Sequence, residues 1–250
     1  MFDKVQTILD GFERLSLDEL GSVKLMNRMD TKYVVEAETA IRILRELPKD
    51  YMALEIAPQL YGQYRTMYYD TTDLKMLLAH ITTRYPRYKV RKRSYLHNDM
   101  HYLEVKHKKM NGKTSKKRLP TDDENGLDDR FVATHTPFIA EELYPKLETR
   151  YNRIILVNRN RMERVTLDFE LQFHSYDGVA TQVFSNAAIV ELKQERIAQS
   201  AITGMLRNEN IRPYGMSKYC VGMLLLNNNQ SYKMYKTKFV KFIKTAQWIS

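Results

Sequence analysis

The segment Tyr88-Lys-Val-Arg-Lys-Arg-Ser-Tyr95 alternates in a way that few folds accommodate. In a β-strand, residues i and i+2 share a face, so Lys89, Arg91 and Arg93 stand together on one side. Four more segments repeat the pattern. Glu104, Lys106 and Lys108 lie opposite Leu103 and Val105, and Lys116 and Arg118 share a face. Arg164, Thr166, Asp168 and Glu170 lie opposite Val165, Leu167 and Phe169, and Glu191 and Lys193 lie opposite Val190 and Leu192. Two architectures satisfy five strands of this kind. Either an apolar core lies beneath a sheet whose charged face meets solvent, or the sheet curls with its charges inward and helices cover the apolar outside. Same-face cations about 7 Å apart repel by roughly 2 kcal/mol at an effective dielectric near 20. Enclosed, they need anions: some from Glu104, Asp168, Glu170 and Glu191, the rest from a ligand. On an open face, salt with a Debye length of about 8 Å screens them.

The positive charge is concentrated in the same region. The chain has 40 Lys and Arg against 30 Asp and Glu, a net charge of +10. Between Arg84 and Arg118, thirteen basic residues face two acids, which accounts for the whole excess. A polyanionic partner is the natural expectation. A second basic stretch, 231–250, has five lysines and no acid. A single cysteine, Cys220, excludes an intrachain disulfide and a Cys-based metal site, and fits a reducing compartment. The six histidines show no metal-ligand spacing. No apolar run approaches the roughly 18 to 20 residues that span a bilayer, and the opening MFDKVQTILDGF carries acids among its apolar positions, unlike a signal peptide. A cytoplasmic location is the expectation.

The pattern along the chain predicts an α+β protein with at least eight strands, many of them antiparallel and sequential, which favours a closed barrel. Residues 1–20 contribute an N-terminal amphipathic helix. Strands are expected over 24–36, 64–70, 87–96, 101–109, 113–119, 150–160, 164–173 and 187–195, and helices over 39–47, 72–81, 197–208 and 218–226, with another near Phe131. Asn98-Asp99 and Asn111-Gly112 mark hairpin turns, and Asn-Gly is a strong hairpin signal. Residues 1–226 read as one domain and 227–250 as a basic amphipathic tail, in which Tyr232, Tyr235, Phe239 and Phe242 recur at helical spacing.

In this order the residues resemble a known family. Arg28-Met-Asp-Thr-Lys-Tyr-Val-Val35, Tyr68-Tyr-Asp-Thr71, Tyr88-Lys-Val-Arg-Lys-Arg-Ser-Tyr95, Leu103-Glu-Val-Lys106, Tyr151-Asn-Arg153, Arg164-Val-Thr-Leu-Asp168, Ile189-Val-Glu-Leu-Lys193 and Ser217-Lys-Tyr219 are similar to motifs of the polyphosphate polymerase domain of the vacuolar transporter chaperone (VTC) family. That family belongs to the triphosphate tunnel metalloenzymes. Each motif alone is weak; eight in sequence are specific. The resemblance implies an antiparallel closed β-barrel, the triphosphate tunnel fold, with helices packed outside and a basic tunnel that binds ATP and inorganic polyphosphate. It implies that Lys32, Arg91, Arg93, Lys106, Arg153, Arg164 and Lys218 act on the phosphates and that Glu191 holds Mn²⁺ or Mg²⁺. Lys89, Lys108, Lys116, Arg118 and Lys193 are further phosphate-binding candidates, and Asp168 is a candidate for charge balance. The chain departs from the pattern at Gly215, where some family members place a second lysine that Arg212 could replace. The first strand offers Arg28 and Asp30 where the cyclase and thiamine triphosphatase branch has paired glutamates, which argues against those two activities.

The chemistry of these residue types agrees. Arginines grip phosphate oxygens bidentately and lysines act as point charges. A divalent ion held by a carboxylate bridges phosphates and keeps waters. The expected reaction is transfer of the γ-phosphate of ATP to a growing polyphosphate chain with release of ADP, the product threading through a tunnel open at both ends. The same cation cage suits an inorganic or nucleoside triphosphatase, or a non-catalytic polyphosphate-binding module. Nucleic acid, the general partner of a basic, Tyr-rich chain, is not expected, because tyrosines at strand positions such as Tyr68 and Tyr95 are ordinarily packing residues. The tail offers an anionic membrane surface or a membrane protein a docking point.

Overall fold

A computed structural model describes residues 2–21, 29–122, 126–160 and 162–226. The described strands are β1 (Arg14–Leu15), β2 (Met29–Glu36), β3 (Tyr51–Leu54), β4 (Gly62–Asp70), β5 (Arg87–Tyr95), β6 (Met100–Lys108), β7 (Thr114–Pro120), β8 (Tyr144–Asn158), β9 (Glu163–Ser175), β10 (Thr181–Phe184) and β11 (Ala187–Gln194). The helices are α1 (Phe2–Leu9), α2 (Leu17–Gly21), α3 (Ala37–Glu46), α4 (Lys75–Ile81), α5 (Asp129–His135), α6 (Ala201–Asn208) and α7 (Lys218–Leu226). The expected N-terminal helix over 1–20 stops at Leu9, before Asp10-Gly11, and resumes as the separate α2. Residues 24–28 of the expected first strand and the tail 227–250 lie outside the described residues.

One sheet holds all the strands, in the order β2-β11-β9-β8-β4-β5-β6-β7, and neighbours on this path are antiparallel. Off the path, β3 pairs with β8, β1 runs parallel to β3, and β10 pairs with β9. The ladder ends at β2 and β7, and among the described residues no pairing joins them. The closed barrel expected from the sequence is therefore an unclosed ladder. Its curl is nevertheless strong. Lys106 on β6 lies in the electrostatic field of Lys32 on β2 and Glu191 on β11. Six strand spacings separate β6 from β2 along the path, roughly 29 Å on a flat sheet, far more than the screening length of about 8 Å. The two ends of the ladder curl toward each other.

The convex face is apolar and clothed by helices in two layers. Val35, Leu156, Leu167, Val190 and Leu192 pack against α1, α3 and α6 through Val5, Ile41, Leu44, Ile202 and Leu206. Val90, Leu103 and Val105 pack against α4 and α5 through Met76 and Val132. Burying a side chain of this size contributes about 1.5–3 kcal/mol, which fixes which face of each strand turns outward.

Two local devices set the alternation. The β6–β7 turn is a three-residue loop: Gly112 sits at φ +77°, its N–H donates to the Lys109 carbonyl, and Lys109 closes against Lys113. The Asn-Gly signal thus resolves as a three-residue hairpin loop that ends on a left-handed glycine. In β9, Glu170 has φ +51° and the register with β8 shifts between Arg150 and Asn152. This bulge corrects the expected face of Glu170. Its carboxylate accepts from Asn152 Nδ2 at 2.7 Å, away from Arg164, Thr166 and Asp168. After the bulge the odd positions Leu171 and Phe173 take the inner face.

Helix α7 fills one end of that inner face. Tyr219, Cys220, Val221, Met223 and Leu224 are buried among Val34, Tyr68, Leu147, Phe173 and Ile189. Asp70, fully buried, ties this end together. Its carboxylate accepts from the backbone N–H of Met76 and Leu77 at the start of α4, at 2.9 and 2.8 Å, and from the Tyr219 hydroxyl of α7.

Candidate functional site

The concave face carries three carboxylates, each gripping two cations. Asp168 on β9 is 1% exposed. It receives Arg153 Nε at 2.6 Å and Nη2 at 2.8 Å, and the Lys218 ammonium from the first turn of α7. Burial alone would raise its pKa; Arg153 and Lys218 override that and hold it at about 2. Glu104 on β6, equally buried, accepts from Arg91 at 2.8 Å and forms an ion pair with Lys116. Against the effect of burial, Arg91, Arg93 and Lys116 hold it far below the usual carboxylate range. Glu191 on β11 takes Lys193 and, at 3.3 Å, Lys32. Lys193, Lys32 and Arg153 outweigh its burial and keep it ionised.

Aromatic rings and a hydroxyl complete the wall. Arg93 donates to Tyr151 Oη at 3.1 Å and to Thr66 Oγ1 at 3.3 Å. Tyr64 and Tyr151 stack with centroids 5.4 Å apart, and Arg153 lies 5.2 Å from both rings. Lys218 stands 4.3 Å from the Tyr151 ring. Burial opposes ionisation of Tyr151, but Arg93, Arg153 and Lys218 pull its pKa below the ordinary phenol value. Such cation–π contacts orient the guanidinium groups as well as stabilising them.

The register places nearly all the predicted residues on this one face. Lys89, Lys106 and Lys116 are directly opposed across β5, β6 and β7, an arrangement of like charges that is destabilising by itself. Lys89 feels it most. Burial lowers its pKa to about 7, with Lys106, Arg91 and Lys32 pushing the same way. Lys116, 38% exposed on the edge strand, is lowered less, to about 8, again mainly by burial. Arg164 stands opposite Lys193. Arg118 stands opposite Glu104, its guanidinium 4.9 Å from the Tyr102 ring. Lys108 shares the face but stands apart from the centre, beyond Lys106 toward the end of β6, near Tyr85. Among the described residues, and leaving aside Arg87 and Lys108 at its far end, the face holds eleven cations (Lys32, Lys89, Arg91, Arg93, Lys106, Lys116, Arg118, Arg153, Arg164, Lys193, Lys218) against Asp30, Glu104, Asp168 and Glu191.

Tyr64, Thr66 and Tyr151 carry no charge to mark them in the sequence. Asp168 and Glu104, counter-charges by pattern alone, are each the hub of a specific cation pair. For a divalent ion, Glu191 is the fitting donor, with Asp30 diagonal to it across β2 and β11. Among the described residues no three His, Cys, Asp or Glu gather as a metal cage. Hard carboxylate oxygens on one wall suit an ion such as Mg²⁺ or Mn²⁺ that takes its remaining ligands from phosphates and water.

Residues 27–227 match the family model described as the VTC domain. The chain belongs to the VTC domain family. The VTC domain fold is similar to that of several solved structures, among them two candidate cyclases. One is a candidate adenylate cyclase from Bacillus halodurans, at 13% identity and TM-score 0.50, covering 77% of this chain and 96% of that one. The other is a candidate adenylyl cyclase from Hippeastrum described as having a dominant triphosphatase activity, at 15% identity and TM-score 0.50, covering 78% of this chain and 94% of that one. No curated protein matches the sequence. Among the described residues no helix is long and apolar enough to cross a membrane.

Proposed function

We propose that this VTC domain is a polyphosphate polymerase. A terminal phosphate oxygen of the growing chain attacks the γ-phosphorus of ATP. The bond from that phosphorus to the β–γ bridging oxygen breaks, ADP leaves, and the chain gains one phosphate. The observation that carries this reading is the excess of cations on one concave face: among the described residues eleven stand against four carboxylates, eight of the eleven at least partly buried, with Lys106, Lys116 and Arg118 exposed on β6 and β7. Phosphoryl transfer asks the protein for positioning and charge neutralisation rather than covalent help. Arg153 and Lys218, aimed by Asp168, and Arg91, aimed by Glu104, are pre-oriented for phosphate oxygens. Arg93, Lys106 and Lys89 add charge along the same wall. Glu191 would hold Mn²⁺ or Mg²⁺, which when bound neutralises charge on the phosphates.

One observation favours a second reading, a triphosphatase in which water replaces the growing chain as nucleophile. Helix α7 occupies one end of the concave face, as suits a short substrate that leaves where it entered. Incubating the purified chain with ATP and Mn²⁺ separates the two. Long-chain polyphosphate on a gel, with matching ADP, supports the polymerase; orthophosphate alone supports the triphosphatase. No ATP turnover in a protein that still binds polyphosphate, and binds it equally as Glu191→Ala, marks a binding module.

A further inference from the structure

The inward cations continue past the carboxylate-braced centre. On β5 the face that carries Arg93, Arg91 and Lys89 carries Arg87 next, directly opposite Lys108 on β6. Both cations rest on one ring: Arg87 lies 4.3 Å and Lys108 5.7 Å from the Tyr85 centroid. Arg87 Nη2 donates to the Tyr85 hydroxyl at 2.8 Å, while its Nε is buried with no hydrogen-bond partner. Among the described residues neither cation has a carboxylate partner, unlike Arg91, Arg153, Lys116 and Lys218. Two titratable neighbours of Arg87 add no negative charge: burial keeps the His80 imidazole neutral and raises the Cys220 thiol. Tyr85 is 39% exposed, so the cluster meets solvent. A buried unused guanidinium donor beside a second uncompensated cation calls for an oxyanion from outside the chain.

We propose that Arg87, Lys108 and Tyr85 form a distal subsite for a phosphate of an inorganic polyphosphate chain whose reacting end lies at the braced centre. The subsite rests on the proposed phosphate chemistry of that centre. Four residues of extended strand separate Arg87 from Arg91, about 13 Å. A triphosphate held at Arg91 and Arg153 does not bridge that span; a longer chain does. The cluster also leaves such a chain a cationic path along β5 and β6, beside the end that α7 fills.

The test is equilibrium binding of tripolyphosphate and of long-chain polyphosphate to the full chain at one fixed salt concentration. Arg87→Gln is expected to lower the ratio of long-chain to tripolyphosphate affinity about tenfold, the worth of one charge-assisted contact. Arg91→Gln should weaken both anions together, and Tyr85→Phe, which keeps the ring, should lower the ratio by less than Arg87→Gln. An Arg87→Gln ratio equal to wild type overturns the subsite and leaves the central site standing; so does an equal loss for both anions, which marks a structural role. Wild-type protein that binds neither anion overturns the central reading and the subsite with it.

Discussion

The concave face has two halves, built by the same strands and chemically opposite. In one, Asp168, Glu104 and Glu191 hold cations in buried ion pairs. In the other, Val34, Leu147, Phe173 and Ile189 receive α7 as an ordinary apolar core. The difference teaches where the free protein is incomplete. The apolar half is satisfied by its own chain, and Gly222 lets the helix sit close against Leu147 and Phe173. Among the described residues the charged half keeps more cations than its carboxylates neutralise, which under the proposed function a polyanion would offset. Ligand binding should therefore stabilise the two halves unequally.

The sharpest way to break this comparison is Asp168→Asn. It leaves Arg153 and Lys218 buried without their anion, a loss of about 3–5 kcal/mol and roughly 10 °C in Tm for a chain of this size. Tripolyphosphate, supplying the missing charge, should raise the Tm of this variant by more than it raises wild type. Equal shifts in a thermal melt would mean that the anion does not reach this pair. Gly222→Val attacks the other half. A Cβ there meets Leu147 Cδ2 at 2.5 Å and Phe173 Cδ1 at 2.6 Å, and overpacking of this kind costs about 1–3 kcal/mol. Tripolyphosphate should shift its Tm no more than that of wild type; selective rescue would show that the halves are not separate.

The smallest effect is on pH. Lys89 titrates near 7 when folded because of its burial, and near 10.4 when unfolded. Between these values the unfolded chain binds more protons, so the stability of the free protein rises with pH across that window. A bound polyanion returns the proton to Lys89. Melts from pH 7 to 9.5 should show Tm climbing by a few degrees without tripolyphosphate and staying flat or falling with it. Calorimetry at pH 8 in two buffers should show proton uptake on binding; no uptake would place Lys89 outside the ligand's field.

Much of this molecule was written in short-range pattern. The alternation of Lys89, Arg91 and Arg93 with Val90, and of Glu191 and Lys193 with Leu192, dictates which face of each strand is charged, because the pleat repeats every two residues whatever the partner strand. The hairpin order of β5, β6 and β7, the helix at 218–226 and the family motifs follow from neighbours in the chain. The face of Glu170 did not follow, because the bulge is set by its pairing with β8. Strands β3 and β10 escaped for a related reason: four residues carry too little pattern to register, and their pairing supplies the rest.

What only the tertiary structure decided is which charges meet. Asp168 on β9 grips Lys218 of α7, 50 residues away, and Lys106 on β6 lies in the field of Lys32 on β2; contacts of that kind depend on register and curl, which no local spacing encodes. The unpaired ends at β2 and β7, the seating of α7 and the placing of Arg87 and Lys108 over one tyrosine are of the same nature. Composition and alternation determined that a cationic face exists; the curl of the long ladder determined that this face is concave, because curl is set by pairing and packing between strands distant in the chain.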